Sequence, residues 1–224
     1  MHKTFKCIIF DFDGTLADTR AGIVATFQET FRHMGLEVPS EAVICSTIGL
    51  TLEDGFKAAL PSMTEREVKD AAAFYRKIFH DLAIPLTVAF PGAAAVLALL
   101  QSEGYRLAIA TSRRSTSLSV LCDTIGLSGY FEGLYGADSV ENHKPAPDLV
   151  LKILEDFRLS PEDALVVGDA TFDLLMGQRA GCKVCGVTWG NQSRGQLSSV
   201  DPDYLIDSFS ELYGIVMPDC HKTL

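Results

Sequence analysis

Apolar residues in this chain follow two periodicities, and the alternation between them outlines a fold. Unbroken runs at Cys7–Phe10, Leu107–Ala110, Leu165–Val167 and Val184–Val187 read as buried strands, with weaker candidates at Gly133–Tyr135 and Tyr204–Ile206. Between them the spacing turns helical. Pro91-Gly92 opens a helix over Ala93–Ser102, which Gly104 ends, and Pro147 leads into another over Asp148–Phe157. Ser160-Pro161-Glu162-Asp163 carries the cap residue and first-turn proline of a further helix start. Strands alternating with helices predict an α/β fold, with a mostly parallel sheet and helices on both faces.

Residues 18–84 interrupt this rhythm. Ala17–Met34 and Glu65–Leu82 read as helices, Leu52–Ala59 as a shorter one, and no strong strand lies among them. The expectation is an all-helical insertion at 18–84, between the first and second strands of a core made of 1–17 and 85–224. Pro39-Ser40 and Pro61-Ser62 mark turns inside it, and Ile84-Pro85 the return to the core. The charged run Thr64–Asp70 reads as a solvated helix face. Phe27, Phe31, Phe56, Phe74 and Phe79 read as packing residues of the insertion.

Composition narrows the classes of function. A chain of 224 residues, 47% hydrophobic and 21% charged, can bury a large core. A net charge of −10 without a polybasic segment argues against nucleic-acid and anionic-membrane partners. An acidic protein that handles an anionic substrate needs a local positive device, such as a metal ion or placed lysines and arginines. Met1-His2-Lys3-Thr4 runs almost directly into a strand, and the apolar stretch Val88–Leu100 is short and broken by Pro91-Gly92, so a cytoplasmic location is expected. The six cysteines do not suggest a disulfide framework. Cys182 and Cys185 sit three apart on a predicted strand, which points them to opposite faces and argues against a shared metal or redox role.

The candidate chemistry collects at strand ends. Asp11-x-Asp13-Gly14-Thr15 directly follows the first strand, where open α/β sheets place their sites. Thr111-Ser112 follows the second, Lys144 follows the loop after Gly133, and Gly168-Asp169 with Asp173 follows Leu165–Val167. A parallel sheet brings Asp11, Asp13, Thr111, Lys144, Asp169 and Asp173 to one edge. Clustered carboxylates make sense around a hard cation with oxygen ligands, for which Mg2+ is the usual choice in phosphate chemistry. Lys144 supplies a compact positive charge, and the Thr111 hydroxyl with nearby backbone N–H groups can hold phosphate oxygens.

These motifs, in this order, resemble the haloacid dehalogenase superfamily, in the subgroup with a helical cap inserted after the first motif. Asp11-Phe12-Asp13-Gly14-Thr15-Leu16, Thr111-Ser112, Lys144-Pro145-x-Pro147 and Gly168-Asp169-x-x-x-Asp173 correspond to its four motifs, and the likeness spans essentially the whole chain. The resemblance implies a Rossmann-like core and Mg2+-dependent phosphoryl transfer. It makes Asp11 the nucleophile that forms an aspartyl phosphate and Asp13 the acid and base. It assigns Mg2+ to the Asp11 carboxylate, the Asp13 backbone carbonyl and Asp169, with Asp173 in support, and has Lys144 and Thr111 steady the phosphoryl group.

The resemblance is less specific about the ester. Thr47–Asp54 is similar to a cap loop that faces the site, making Gly49 and Leu50 candidate substrate contacts beside Ser112 and Arg113. Ser112 stands where an asparagine is frequent, and Arg113 and Arg114 either meet an anionic substrate or lie in solvent. Leu52 stands where related sugar-phosphate mutases carry an arginine. His143 reads as a loop residue, since Asp13 already fills the proton-transfer role. The expected activity is a phosphatase for a small phosphorylated metabolite, phosphoglycolate-like, acting as a monomer or homodimer. An inorganic pyrophosphatase or β-phosphoglucomutase-like mutase is the alternative, and a silent binding protein the reading from another class.

Overall fold

The computed structural model describes residues 4–217, so the expectation for Met1–Lys3 lies outside the described residues. The strands in chain order are β1 (Cys7–Phe10), β2 (Ala17–Asp18), β3 (Val88–Ala89), β4 (Arg106–Ala110), β5 (Gly133–Tyr135), β6 (Ala164–Gly168), β7 (Lys183–Val187) and β8 (Tyr204–Ile206). Six of them form a parallel sheet in the order β5-β4-β1-β6-β7-β8. The chain order reverses at β1, so a crevice opens beyond its C-terminal end.

The continuous apolar runs are explained by burial on both faces. Successive residues of β1 alternate between two core layers, Ile8 and Phe10 in one, Cys7 and Ile9 in the other. Cys182 and Cys185 are divided in the same way, and burial pushes both thiols up to about 12. They share no site.

The helices are α1 (Arg20–His33), α2 (Glu41–Cys45), α3 (Leu52–Ala59), α4 (Glu65–Leu82), α5 (Ala93–Ser102), α6 (Ser115–Thr124), α7 (Asp148–Phe157), α8 (Thr171–Arg179), α9 (Arg194–Ser198) and α10 (Phe209–Val216). Buried residues of α5, α6 and α10 join the first core layer, and those of α7, α8 and α9 the second. Helices therefore cover both faces.

Two local expectations fail. Ala17 and Asp18 are not helical; they pair antiparallel with Ala89 and Val88, so the helix begins at Arg20. This ribbon joins the two places where the chain passes between the sheet and α1–α4. The second fails only in length: Ser160 stands at the N-cap and Pro161 opens the turn as expected, but the turn is a single 3-10 one, Pro161–Asp163, before β6 begins at Ala164.

Three of the helices of 20–82, α1, α3 and α4, share an aromatic centre. Phe56 stacks on Phe27 at 4.4 Å between centroids and meets Phe31 edge-on at 5.4 Å. Phe79 is also buried, whereas Phe74 is only partly buried and stacks on His33. The run at Thr64 has a second use besides solvation. Thr64 and Glu67 cap α4 reciprocally, with the Thr64 N–H donating to Glu67 at 2.7 Å. At the open end of the group, a Cβ on Gly22 would stand 2.8 Å from the Ala83 backbone. Glycine thus lets the start of α1 lie against the end of α4.

Phe56 is fully buried at the middle of this cluster. Phe56→Ala should lower the unfolding free energy by about 3–5 kcal/mol, the usual cost of an aromatic-to-alanine cavity. Urea denaturation measures it, and a loss below about 1 kcal/mol would show that these helices do not depend on that centre.

Candidate active site

Asp11 is the first residue beyond β1, and its N–H donates to the Val167 carbonyl at 2.8 Å, extending the ladder to β6. The chain then turns tightly. Gly14, at φ +88°, donates its N–H to the Ala17 carbonyl at 2.9 Å, and a Cβ there would meet Asp169 Oδ2 at 2.2 Å. Only glycine lets this loop pass so close to a carboxylate.

The structure brings Asp11, Asp169 and Asp173 together, each with a carboxylate oxygen within 4.8 Å of the others, all three buried. Lys144 Nζ bridges two of them, donating to Asp11 Oδ1 at 2.5 Å and Asp173 Oδ1 at 2.6 Å. The second oxygens differ in their commitments. Asp173 Oδ2 accepts from the Ala170 N–H at 3.0 Å, capping α8. Asp169 Oδ2 accepts from Asn191 N and Nδ2 at 2.6 and 2.9 Å, and its Oδ1 from the Thr15 hydroxyl at 3.1 Å. Asp11 Oδ2 takes no hydrogen bond among the described residues.

Three carboxylates facing one ammonium leave excess negative charge where little water reaches. Burial first, and the Asp173 charge second, push Asp11 well above the usual carboxylate range. The same two causes raise Asp169 to about 7. Burial alone would lower the Lys144 ammonium, but Asp11 and Asp173 together outweigh it and hold the charge in place. A hard divalent cation, all-oxygen donors and carboxylates that retain protons for want of a counter-charge fit one another. The side chains of Asp11, Asp169 and Asp173 could therefore hold a metal.

The Asp13 side chain is turned to other partners. Its carboxylate accepts Arg113 Nε and Nη2, each at 2.6 Å, and the Thr19 hydroxyl at 2.6 Å. Its backbone carbonyl accepts from Asn191 Nδ2 at 3.4 Å. This rules out the reading of Arg113 as solvated: its side chain is 12% exposed and engages Asp13. Its guanidinium also lies 5.0 Å from the centre of the Phe79 ring of α4. Arg114 is exposed.

Thr111 is buried, its N–H donating to the Tyr135 carbonyl and its Oγ1 accepting from the Arg113 N–H at 3.2 Å. Ser112 donates its hydroxyl to the Gly49 carbonyl at 2.6 Å, tying the loop after β4 to the loop before α3. Gly49, Leu50, Ser112 and Arg113 all line a cavity of about 800 Å3 between α1–α4 and the sheet edge, with Asp11, Asp13 and Thr111 in its wall. His143 lines it as well, correcting its reading as a mere loop residue.

Sequence reasoning quoted Thr15 only as part of the first motif and missed Thr19 and Asn191; all three hold the functional carboxylates. Asn191 follows β7 as Thr111 follows β4, so the strand-end rule would have reached it had Trp189–Asn191 been weighed.

The sequence pattern of the haloacid dehalogenase-like hydrolases matches residues 8–187. The chain belongs to that family. It is 39% identical over 211 residues to "Probable phosphatase IndB" of Dickeya dadantii, covering 92% of this chain and 91% of that one. It is 33% identical over 217 residues to "Pyrophosphatase PpaX" of Bacillus pumilus, covering 97% and 99%. The crystal structure of a predicted phosphoglycolate phosphatase from Haemophilus somnus superposes with a TM-score of 0.88 at 24% identity, covering 95% and 98%, which supports the Rossmann-like fold.

The raised carboxylates dictate a pH effect on the metal-free protein. Asp169 ordinarily titrates near 3.8 but holds its proton to about 7 when folded. Between those values the folded chain binds more protons than the unfolded one, so stability is lost as pH rises from about 4 to 7. Glu132, held low by its Arg106 hydrogen bonds, acts in the opposite direction but only at lower pH. Without metal, the urea midpoint should fall between pH 5 and 7.5. Saturating Mg2+ should remove that fall, and Asp169→Asn should flatten it. A midpoint that rises over this window in metal-free buffer would contradict the assignment.

Proposed function

We propose that this protein is a Mg2+-dependent phosphatase that hydrolyses a small phosphate monoester through an aspartyl phosphate on Asp11. The observation that carries it is the Asp11 carboxylate itself. One oxygen is neutralised by Lys144, the other is uncommitted, and a cavity large enough for an ester opens beside it. The phosphatase names of the relatives support the same class.

In the first half-reaction an Asp11 oxygen attacks phosphorus and the ester oxygen departs, taking a proton from Asp13. In the second, Asp13 accepts a proton from water, the water oxygen attacks phosphorus, and inorganic phosphate leaves with Asp11 restored. Asp11, Asp169 and the Asp13 carbonyl, with Asp173 in support, would hold Mg2+, which would supply positive charge for the phosphoryl oxygens. Lys144 aims Asp11 and, together with the cation, would offset its negative charge, and Thr111 with the N–H groups after it holds the transferring group. Arg113 holds both Asp13 oxygens while the second half-reaction draws a proton from water. For the first, the arriving ester must loosen that pair.

Residues 18–84 act as the cap that shelters this chemistry, and 1–17 with 85–224 as the catalytic core. The β2–β3 ribbon is the hinge between them. Among the described residues no helix is long and apolar enough to cross a membrane, and the five described cysteines are free thiols, which suits a cytoplasmic setting. Pyrophosphate is the second substrate to test, on the strength of the Bacillus pumilus relative's name.

Asp11→Asn should remove phosphate release with the fold intact, since an amide is a poor nucleophile. More than about 1% residual activity would exclude a covalent role, whose loss typically costs far more. A chelator should stop turnover and added Mg2+ restore it; turnover that persists in chelator would dismiss the metal. Asp13→Asn should spare phosphorylation by esters with acidic leaving groups more than it spares breakdown of the phosphoenzyme. Rapid-quench detection of accumulating phosphoenzyme tests this, and unchanged breakdown would remove Asp13 from the second step.

A further inference from the structure

The cavity walls carry information about the part of the substrate that leaves. This inference rests on the phosphatase reading of the site and deepens it.

Size comes first. About 800 Å3 is in the upper range of pockets that enclose drug-sized ligands. Glycolate or a second phosphate would occupy a small fraction of it.

The surface facing that space is mostly apolar. Ile23, Leu52, Tyr75 and Phe79 contribute from α1, α3 and α4. Val120, 42% exposed, contributes from α6 on the other side.

Charge points the same way. The lining holds five carboxylates, those of Asp11, Asp13, Glu53, Asp54 and Asp138, against the guanidinium groups of Arg76, Arg113 and Arg114. Two of those cations are spoken for: Arg113 is clamped on Asp13 and Arg76 on Glu53 at 2.5 Å. Arg114 sits in the field of Glu53 and Asp138 and helps hold both carboxyls low. Beyond the phosphoryl position, where Glu53, Asp54 and Asp138 face Arg76 and Arg114, a second anionic group would meet no surplus of positive charge.

One polar atom is unspent. Among the described residues, His143 Nδ1 is the one buried side-chain nitrogen or oxygen without a hydrogen-bond partner, and His143 lines this cavity beside Lys144. A buried polar group left unpaired is costly, and Nδ1 is sheltered in the free protein, so it gains a ligand partner when the imidazole turns toward the cavity.

We infer that the leaving group is an uncharged alcohol carrying a flat ring, which lies against the apolar wall and hydrogen-bonds to His143, not glycolate, a sugar or phosphate. The ring packs toward Phe79 and Tyr75, and a hydroxyl or ring heteroatom meets Nδ1.

The test is kcat/KM with Mg2+ for four substrates: a nucleoside 5′-monophosphate, a hexose 6-phosphate, phosphoglycolate and pyrophosphate. The nucleoside ester, whose leaving group is neutral and carries a flat ring, should exceed the other three by at least about tenfold. His143→Ala should raise KM for that ester about fivefold, the worth of one neutral hydrogen bond, with a smaller fall in kcat. Leu52→Arg, which adds a cation to the wall, should shift the ratio of phosphoglycolate to nucleoside turnover upward. Phosphoglycolate, pyrophosphate or hexose phosphate emerging as the best substrate would overturn the inference while leaving the phosphatase standing. No phosphate release from any of the four by folded protein would instead strike at the phosphatase reading. A nucleoside preference with KM unmoved in His143→Ala would remove His143 from the binding site.

Discussion

The structure is organised around a charge imbalance that its own residues do not resolve. Asp11, Asp169 and Asp173 converge in a buried space with Lys144 as their shared counter-ion. Such a cluster opposes folding unless protons or a cation compensate, since burial penalises each charge and the like charges repel. The surroundings are spent on holding the carboxylates in place: Thr15 and Asn191 grip Asp169, and the Ala170 N–H grips Asp173. A binding site and a source of instability are here the same object.

A second set of contacts ties this cluster to the helices above it. Ser112 donates across the cavity to Gly49, and Arg113 joins Asp13 to the Phe79 ring. Both come from the short loop after β4, which also carries Thr111. Any displacement of α4 or of the Gly49 loop is therefore felt one side chain away from Asp13. The route is short: a neutral hydrogen bond, a cation–π contact and the charge-assisted hydrogen bonds of Arg113 to Asp13, which are directional and lose strength quickly when misaligned.

Much of this was readable in the chain, for reasons that differ by element. β1, β4, β6 and β7 were visible because burial on both faces demands unbroken apolar runs. α4, α5 and α7 were visible because their apolar stripes are long enough to show a period. β2 and β3 were not, because two-residue strands have no period, and Ala17-Asp18 is as compatible with a helix start as with an edge. Asp11 and Asp169 stood out because charge so soon after an apolar run is unusual, and Lys144 because its order after them matched a family motif. Arg113 could not be resolved, because its partner lies a hundred positions away and a surface arginine looks the same in one dimension. Asn191 was missed for a related reason: an uncharged amide in a polar loop carries no local signature, although it holds both Asp169 and the Asp13 carbonyl.

Gly22 bears on the history of this architecture as well as its packing. By letting the start of α1 lie against Ala83, it closes α1–α4 into a loop whose two ends meet. A unit whose ends meet imposes little on the body that carries it; only a two-stranded joint must be kept. Lineages could lengthen it, shorten it or trade it for another while the sheet and its carboxylates stay unaltered. The reagent would be inherited and the choice of what it acts upon left free to drift.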